Sequence, residues 1–232
     1  MKQFHNPELN APNVLKVDLD TSIVREVPSI LSDRIGPKGL FKKSPPWKSD
    51  ICWTSAKSID AFSEFQSLFD RLGVAAHARP YLDVDRTVRL YNGFVVTRSV
   101  CEAPDFHVDW KDTNNEAFTL ITPVTENSEG FGLLYKKSDG TIGEYEYKLG
   151  EALILGDRFI HSTKPGRSAE PVALLSFIFG SDKMIHWPKI ARTAASQGHM
   201  VCRPDGTFQR RSIILRARNA AGRAARRLGL RR

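Results

Sequence analysis

The feature that most restricts the fold is a run of short β segments between Thr87 and Phe179. These segments are rich in β-branched and aromatic residues, and turn-forming sequences separate them, with Ser-Asp-Gly at residues 138–140 as the strongest and Asn-Ser-Glu-Gly at residues 127–130 as a second candidate. No helical pattern within the run is long enough to connect parallel strands. We therefore expect an antiparallel sandwich or barrel, with a jelly roll as the natural candidate. The predicted strands lie near residues 87–91, 94–100, 106–109, 117–124, 131–137, 143–148, 151–155 and 172–179.

The chain before this run has two different patterns. Apolar residues recur every three to four positions over residues 59–72, with Ser58 as N-cap and Gly73 at the end. This pattern predicts an amphipathic helix that supports the β structure. Residues 1–50 are rich in Pro and Lys and have weak periodicity, which predicts an irregular N-terminal arm with short strands. The β domain is expected to extend over residues 51–209.

Positive charge is concentrated at the C-terminus. The formal net charge is +8, but residues 210–232 carry nine Arg and no acidic residue. The rest of the chain has 25 basic residues (34 minus 9) against 26 acidic ones, a net charge near −1. The tail pattern predicts a basic amphipathic C-terminal helix. It is compatible with a solvated segment, with an anionic membrane surface, or with nucleic acid or an acidic partner.

The sequence contains no recognisable signal for membrane insertion or secretion. It has no run of 18 apolar residues, and its first residues lack the apolar core of a signal peptide. Cys52, Cys101 and Cys202 are widely spaced and include no CxxC pair, which is typical of reduced thiols. We expect a cytoplasmic protein, with peripheral membrane attachment through the tail as an alternative.

Three residues form a candidate metal site. In FHVDW (residues 106–110), His107 and Asp109 are two positions apart, so on a strand their side chains point to the same face. His161 follows Asp109 by 52 residues, after a turn glycine, a short apolar strand and a Gly-Asp turn. Two imidazoles and one carboxylate on one face of an octahedron form the facial triad of non-haem iron(II) oxygenases. His107, Asp109 and His161 are therefore the predicted ligands.

These motifs resemble those of the iron(II)/2-oxoglutarate-dependent dioxygenase superfamily over roughly residues 85–180. The resemblance is carried by FHVDW, by GEALILGDRFIHS (residues 150–162) and by the spacing, and the phytanoyl-CoA and prolyl-hydroxylase-like branches are most similar in pattern. It implies a double-stranded β-helix, a jelly-roll or cupin-like fold with flanking helices. It also implies hydroxylation of a small metabolite or biosynthetic intermediate with Fe(II), 2-oxoglutarate and O2, and with ascorbate as a candidate additive. Phe106 and Trp110 would line the substrate pocket.

The sequence departs from this family at one expected position. Many members place an Arg or Lys about ten residues beyond the distal His, where it pairs with the far carboxylate of 2-oxoglutarate, but here residues 170–172 are Glu-Pro-Val. A dianionic cosubstrate still needs a cation, preferably a planar bidentate one. The candidates are Arg167 and Arg98 as near equals, then Arg89, with Thr119 or Thr122 as hydroxyl donors.

Two other functions remain open. The missing cation favours a cupin-type metal-dependent dioxygenase or isomerase that does not use 2-oxoglutarate. The third hypothesis is a non-catalytic barrel that serves as a binding module and is docked by its basic tail. The intact triad argues against it, because binding alone gives no reason to keep three ligands in register. No pattern predicts the substrate, because loops determine it.

Overall fold

The computed structural model describes residues 4–32, 39–43, 51–126 and 131–210. Within these ranges the strands are β1 (His5–Asn6), β2 (Ala11–Pro12), β3 (Val14–Asp18), β4 (Phe41–Lys43), β5 (Cys52–Ala56), β6 (Arg89–Cys101), β7 (Ala117–Pro123), β8 (Gly132–Lys136), β9 (Ile142–Glu146), β10 (Glu151–Leu155), β11 (His161–Thr163), β12 (Gly166–Gly180), β13 (Met200–Cys202) and β14 (Phe208–Arg210). The helices are α1 (Thr21–Val24), α2 (Val27–Ser32), α3 (Ile59–Arg71), α4 (Val74–Ala78) and α5 (Trp187–Ser196), with short 3-10 turns at Arg79–Tyr81 and Met184–His186.

Two antiparallel sheets form the body of the protein. The main sheet has the strand order β3-β10-β7-β12-β6-β5-β4, and the minor sheet has the order β11-β8-β9. The chain passes repeatedly from one sheet to the other, as the sequence predicts for a jelly roll. Leu133 and Tyr135 of the minor sheet share a buried cluster with Leu153 and Leu155 of the main sheet. The predicted class, mainly β with a double-stranded β-helix, is confirmed.

Helix α3 supports the main sheet on its outer side. The Ser58 side chain accepts a hydrogen bond from a backbone N–H of the first turn, and Gly73 follows the helix in the left-handed conformation. The helix therefore begins and ends where the sequence predicts. Its aromatic face is buried, and Phe69 meets Phe177 of β12 edge to face with ring centroids 5.5 Å apart. This packing of α3 against the sheet keeps the main sheet rigid.

One predicted break in the sheet is absent. Residues 87–91 and 94–100, expected as separate strands, lie in the single strand β6. The Asn92-Gly93 pair between them is typical of hairpin turns, but both residues are paired with β12 inside the sheet. Packing explains this glycine, because a Cβ at Gly93 would lie 2.4 Å from the Phe65 ring. The missing side chain lets α3 approach the sheet closely.

Two other regions differ from the expectation. The predicted strand at residues 106–109 is reduced to one antiparallel bridge between His107 and His161. Both backbone N–H groups of this bridge donate to the opposite carbonyl, at 2.9 and 3.0 Å. Residues 14–18 and 41–43 of the N-terminal arm extend the main sheet at its two edges. The arm is thus partly built into the sheet, and a domain boundary at residue 50 stays a prediction.

Two predictions fall outside the described residues: the second candidate turn at residues 127–130 and all but the first residue of the Arg-rich tail at residues 210–232. In the part of the chain that is described, no helix is both long and apolar enough to cross a bilayer.

Candidate metal centre

Three side chains converge where the minor sheet meets the segment after β6. The ligand atoms of His107, Asp109 and His161 all lie within 4.8 Å of one another. The Oδ1 atom of Asp109 is 3.8 Å from Nε2 of His107 and 4.0 Å from Nε2 of His161. Metal–ligand bonds of about 2.1 Å would let one ion reach both atoms of either pair. The residues predicted as ligands are therefore brought together.

Hydrogen bonds fix the tautomer of both imidazoles. Nδ1 of His107 is 2.8 Å from the carbonyl oxygen of Asp105, and Nδ1 of His161 is 3.1 Å from that of Phe159. A carbonyl oxygen only accepts hydrogen bonds, so each Nδ1 carries the proton and donates. In the neutral ring Nε2 then carries the free lone pair, and both Nε2 atoms face Asp109. This arrangement is the usual outer support of metal-bound histidines.

The three ligands differ in exposure. The side chains of His161 and Asp109 are 8% and 14% exposed, whereas that of His107 is 52% exposed. Burial lowers the pKa of His161, and the neighbouring His107 lowers it further, although Asp109 and the Phe159 carbonyl oppose the shift. The neutral imidazole, which is the form that binds metals, is thereby favoured. The site opens to solvent on the His107 side.

A buried carboxylate ties the two ligand-bearing segments together. Asp157, in the turn before His161, accepts hydrogen bonds from the Thr113 hydroxyl and from the Asn114 backbone N–H, the latter at 2.7 Å. Trp110 forms a bridge with the same residue. The turn before His161 is thus joined to the loop that follows Asp109. These bonds fix the distance between the two halves of the site.

Two further contacts hold the backbone of the ligands. The Ser162 hydroxyl accepts a hydrogen bond from the Asp105 N–H at 2.7 Å, which fixes the segment that orients the His107 ring. On the other side, the Thr193 hydroxyl of α5 donates to the Asp109 carbonyl at 3.4 Å. Helix α5 therefore lies directly against the ligand segment.

A cavity of about 60 Å³ is lined by residues of β6, β11 and β12. Thr163, two residues beyond His161 on β11, lines it, and alternate residues on a strand share a face about 7 Å apart. Arg98 is the one charged residue among the lining side chains. The lining consists of Ile51, Val96, Arg98, Phe131, Tyr147, Thr163, Val172 and Leu174.

The sheet register places Arg98 beside the position where a cation was expected. Val172, eleven residues beyond His161, is directly opposite Arg98 on the neighbouring strand, and both side chains line the cavity. The Arg98 Nε–H donates to the Val100 carbonyl at 2.7 Å, which orients the side chain. Burial raises the pKa of Tyr147, with Arg98 opposing the shift, so this cavity hydroxyl stays protonated and can donate.

The other predicted cosubstrate residues lie elsewhere. Arg167 is on β12 opposite Val100 and is exposed. Arg89 is at the far end of β6, where it pairs with Gly180. Neither arginine lines the cavity.

Buried hydrogen bonds hold Thr119 and Thr122, the remaining candidates for binding the cosubstrate. Thr119 accepts a hydrogen bond from the Trp110 indole N–H at 3.0 Å, and Thr122 donates to the Glu151 carbonyl at 2.9 Å. Trp110 was expected to line the substrate pocket, but its side chain is fully buried. Its indole N–H needs a buried acceptor, and Thr119 provides one. Phe106 is 37% exposed and lies next to His107 in the sequence.

Sequence reasoning missed three polar residues of the barrel interior. Thr163 could have been found, because it shares the face of His161 on one strand. Ser176 is buried, and its hydroxyl has no hydrogen-bond partner in the described structure. It is two residues along β12 from the cavity residue Leu174 and so points to the same side of the sheet. Tyr147 follows β9 directly and lies in the strand predicted over residues 143–148, where the alternation of Glu and Tyr could have indicated its burial.

The fold and these side chains define a double-stranded β-helix with a candidate two-histidine, one-carboxylate metal centre. No protein-family model matches the sequence, and no curated protein matches it. Solved structures do share the fold. HygX from Streptomyces hygroscopicus, crystallised with nickel and 2-oxoglutarate, has a TM-score of 0.58 and 14% identity, and the match covers 77% of this chain and 88% of that chain.

Two further structures give the same result. The non-haem alpha-ketoglutarate-dependent carbocyclase SnoK from nogalamycin biosynthesis has a TM-score of 0.57 and 9% identity over 76% of this chain and 84% of that one. An oxidoreductase of the 2OG-Fe(II) oxygenase family from Burkholderia pseudomallei has a TM-score of 0.54 and 10% identity over 72% and 84%. The chain therefore has the fold of the 2-oxoglutarate and iron(II) oxygenase superfamily that its motifs resemble.

Proposed function

We propose that this protein is an iron(II)- and 2-oxoglutarate-dependent oxygenase that hydroxylates a small molecule. One observation carries the proposal: His161 of the cluster with His107 and Asp109 lies two residues from Thr163 on β11, and Thr163 lines a cavity whose one charged lining residue is Arg98. The protein thus offers both a candidate metal site and a candidate carboxylate site. Neither a plain cupin nor a binding module requires both.

The residues fit the metal. Two neutral Nε2 atoms and one carboxylate supply the donor set that iron(II) takes in this class and leave positions for other ligands. Iron(II) bound there would supply the activation of O2 that is coupled to decarboxylation of 2-oxoglutarate to succinate. Asp105 and Phe159 keep both imidazoles in the tautomer that faces the ion.

The cosubstrate would enter the cavity with its distal carboxylate toward Arg98. The guanidinium can bind a carboxylate with two N–H groups, and the protonated Tyr147 hydroxyl can add a third donor. The mainly apolar lining excludes water and strengthens these charge-assisted bonds. Arg98 thus takes the place of the cation that the segment after His161 does not provide.

Hydroxylation is a separate part of the proposal. Solved enzymes with this fold include an epimerase and a carbocyclase. A hydroxylase adds one oxygen atom to its substrate, so the product mass would increase by one oxygen and take up label from 18O2. An unchanged mass would indicate epimerisation, and a loss of two hydrogens would indicate ring closure.

The direct test is succinate formation without a prime substrate. Purified protein would be supplied with Fe(II), ascorbate, O2 and 2-oxoglutarate, and we expect slow succinate formation that falls at least about a hundredfold in His161→Ala. The matched control is His199→Ala, because His199 is bonded to Ser55 and is not in the metal cluster. Succinate formation that persists in His161→Ala would contradict the triad. Iron binding without any turnover of 2-oxoglutarate would favour the cupin-type alternative.

A second test addresses the anchor. Arg98→Gln is expected to raise the Kd for 2-oxoglutarate by about ten- to a hundredfold, because it removes a bidentate partner of a carboxylate. Arg167→Gln is the matched control, since Arg167 is exposed on the adjacent strand. The double variant Arg98→Val with Val172→Arg moves the positive charge to the paired position on the neighbouring strand and should recover part of the affinity for 2-oxoglutarate. Equal effects of Arg98→Gln and Arg167→Gln would exclude Arg98 as the anchor.

A further inference from the structure

One residue of the N-terminal arm lies beside the turn that leads to the ligand His161. Asn13 connects β2 to β3 and is buried. Val14, the next residue, pairs with Leu155 at the end of β10. The turn begins directly after Leu155, at Gly156, so the pairing of β3 with β10 brings Asn13 against it.

Asn13 binds this turn with both its backbone and its side chain. Its carbonyl accepts a hydrogen bond from the Gly156 N–H at 2.8 Å, and its side-chain amide donates to the Asp157 carbonyl at 2.7 Å. The turn is therefore held on two successive residues by a segment that is distant in sequence.

A second asparagine connects Asn13 to the loop that follows Asp109. The side-chain amide of Asn115 donates to the side-chain oxygen of Asn13 at 3.1 Å. The side-chain oxygen of Asn115 in turn accepts a hydrogen bond from the Asp157 N–H at 2.7 Å. Asn13, Asn115 and Asp157 thus form a closed ring of buried hydrogen bonds. Removing one member leaves the polar groups of the other two unpaired in the interior.

Two backbone hydrogen bonds connect the ring to the metal ligands. Arg158, the next residue of the turn, donates its N–H at 2.9 Å to the carbonyl of Trp110, which directly follows Asp109. Three residues further along, the His161 N–H donates to the His107 carbonyl at 3.0 Å. The turn that Asn13 holds is therefore the part of the chain that joins the two ligand-bearing segments.

We propose that Asn13 is a positioning residue of the metal centre, so that metal affinity depends on the N-terminal arm. The inference rests on the metal centre of the proposed function and adds a third chain segment to it. Asn13 provides no ligand atom and acts through the turn before His161 and the loop after Asp109. A purely structural role would lower stability and leave the metal affinity of the folded protein unchanged.

The test compares Asn13→Gly with Asn10→Gly in the full chain. Both asparagines belong to the arm and have left-handed backbones, with φ of 56° and 48°, which glycine adopts without strain, but Asn10 is exposed. Mn(II) titrations of the folded variants should show affinity about tenfold lower in Asn13→Gly and unchanged in Asn10→Gly, because residues that orient metal ligands have effects of this size. Equal Mn(II) affinity in the two variants would overturn the inference.

Amide hydrogen exchange of the metal-free protein gives an independent readout. Exchange of the Arg158 and His161 N–H groups should be at least about tenfold faster in Asn13→Gly than in Asn10→Gly, because the ring loses two buried hydrogen bonds. The Leu175 N–H in the middle of β12 reports global unfolding, and its exchange should increase less. Equal acceleration at all three groups would show that Asn13 stabilises the fold without positioning the ligand segments.

A milder variant covers the case in which Asn13→Gly does not fold. The hydroxyl of Asn13→Ser can replace one of the two side-chain hydrogen bonds, so a smaller loss of Mn(II) affinity is expected, and no loss would contradict the positioning role. If the unmodified protein does not bind Mn(II), the metal centre of the proposed function is wrong. Hydrogen exchange still decides in that case whether Asn13 joins the two segments, so the two failures are distinguishable.

Discussion

The two sheets of the barrel differ in how they are supported. The main sheet has seven strands and is covered by α3, whose Phe69 packs against Phe177. The minor sheet has three short strands, and only one backbone bridge adds the His107 segment to it. The less supported sheet carries both histidine ligands. The helix–sheet packing is therefore on the main sheet, whereas the two candidate histidine ligands are on the minor sheet, where a few side-chain hydrogen bonds position them.

The largest expected effect concerns the main sheet. Phe177→Ala removes a fully buried ring beside Phe69 and should lower the free energy of unfolding by about 3–5 kcal/mol in urea titrations. Mn(II) affinity of the protein that remains folded should be unchanged. The exposed Phe106→Ala is the matched control and should cost less than about 1 kcal/mol. A loss of metal affinity in folded Phe177→Ala would show that packing on the main sheet also positions the metal ligands.

The second effect concerns the link between the ligand segments. Asp157→Ala leaves the Thr113 hydroxyl and the Asn114 N–H without their buried acceptor, so the free energy of unfolding should fall by about 2–3 kcal/mol. Mn(II) affinity, measured by titration, should fall about ten- to a hundredfold because the ligands lose their spacing. Asp139→Ala, which removes a similar Asx contact in an exposed hairpin turn, is the control. Unchanged metal affinity would show that Asp157 stabilises the fold without positioning the ligands.

A smaller effect is expected from Ser162→Ala. The variant removes the acceptor of the Asp105 N–H and loosens the carbonyl that orients His107. The free energy of unfolding should fall by about 1 kcal/mol, and Mn(II) affinity should fall up to about tenfold. Ser162→Thr, which keeps the hydroxyl, should restore affinity. A change in stability alone would show that the His107 segment needs no such support.

The smallest effect is a pH dependence of the metal-free protein. Burial lowers the pKa of His161 below the ordinary value of 6.5, so the folded state favours the neutral ring. As the pH falls below about 6.5, the unfolded chain binds a proton while the folded chain does not until its own lower pKa is reached. The free energy of unfolding is therefore highest above this window and declines through it. In urea titrations across this pH window, the free energy of unfolding should decline in the His5→Gln control. The decline should be smaller in His161→Gln, which lacks the titrating ring.

The sequence predicted the parts of the site that follow from local periodicity. His107 and Asp109 share a face because they are two positions apart, and His161 returns to them through a short strand and a turn. Arg98 could not be selected over Arg167, because the choice depends on which residue the register sets opposite Val172. Register between strands far apart in sequence comes from packing, not from a local pattern.

The same limit applies to the elements that were misjudged. The Asn92-Gly93 pair looks like a turn, but α3 packs on it and keeps β6 continuous. Trp110 is next to a ligand, yet its burial depends on Thr119, nine residues later on another strand. The short edge strand at residues 14–18 is regular because β10 pairs with it. In each case a tertiary contact overrides the local preference.

The half-exposed His107 would set the route by which a metal ion enters and leaves the candidate site. Solvent reaches the candidate centre on the side of this imidazole, while Asp109 and His161 would hold a bound ion from the interior. We therefore expect a chelator to displace His107 first, so that the lifetime of a bound ion would depend on how fast this outermost ring swings away. Two metals with equal affinity would leave at different rates if they differ in how tightly they bind one imidazole. Loading and loss of an ion at this site would thus be governed by kinetics at a single ligand.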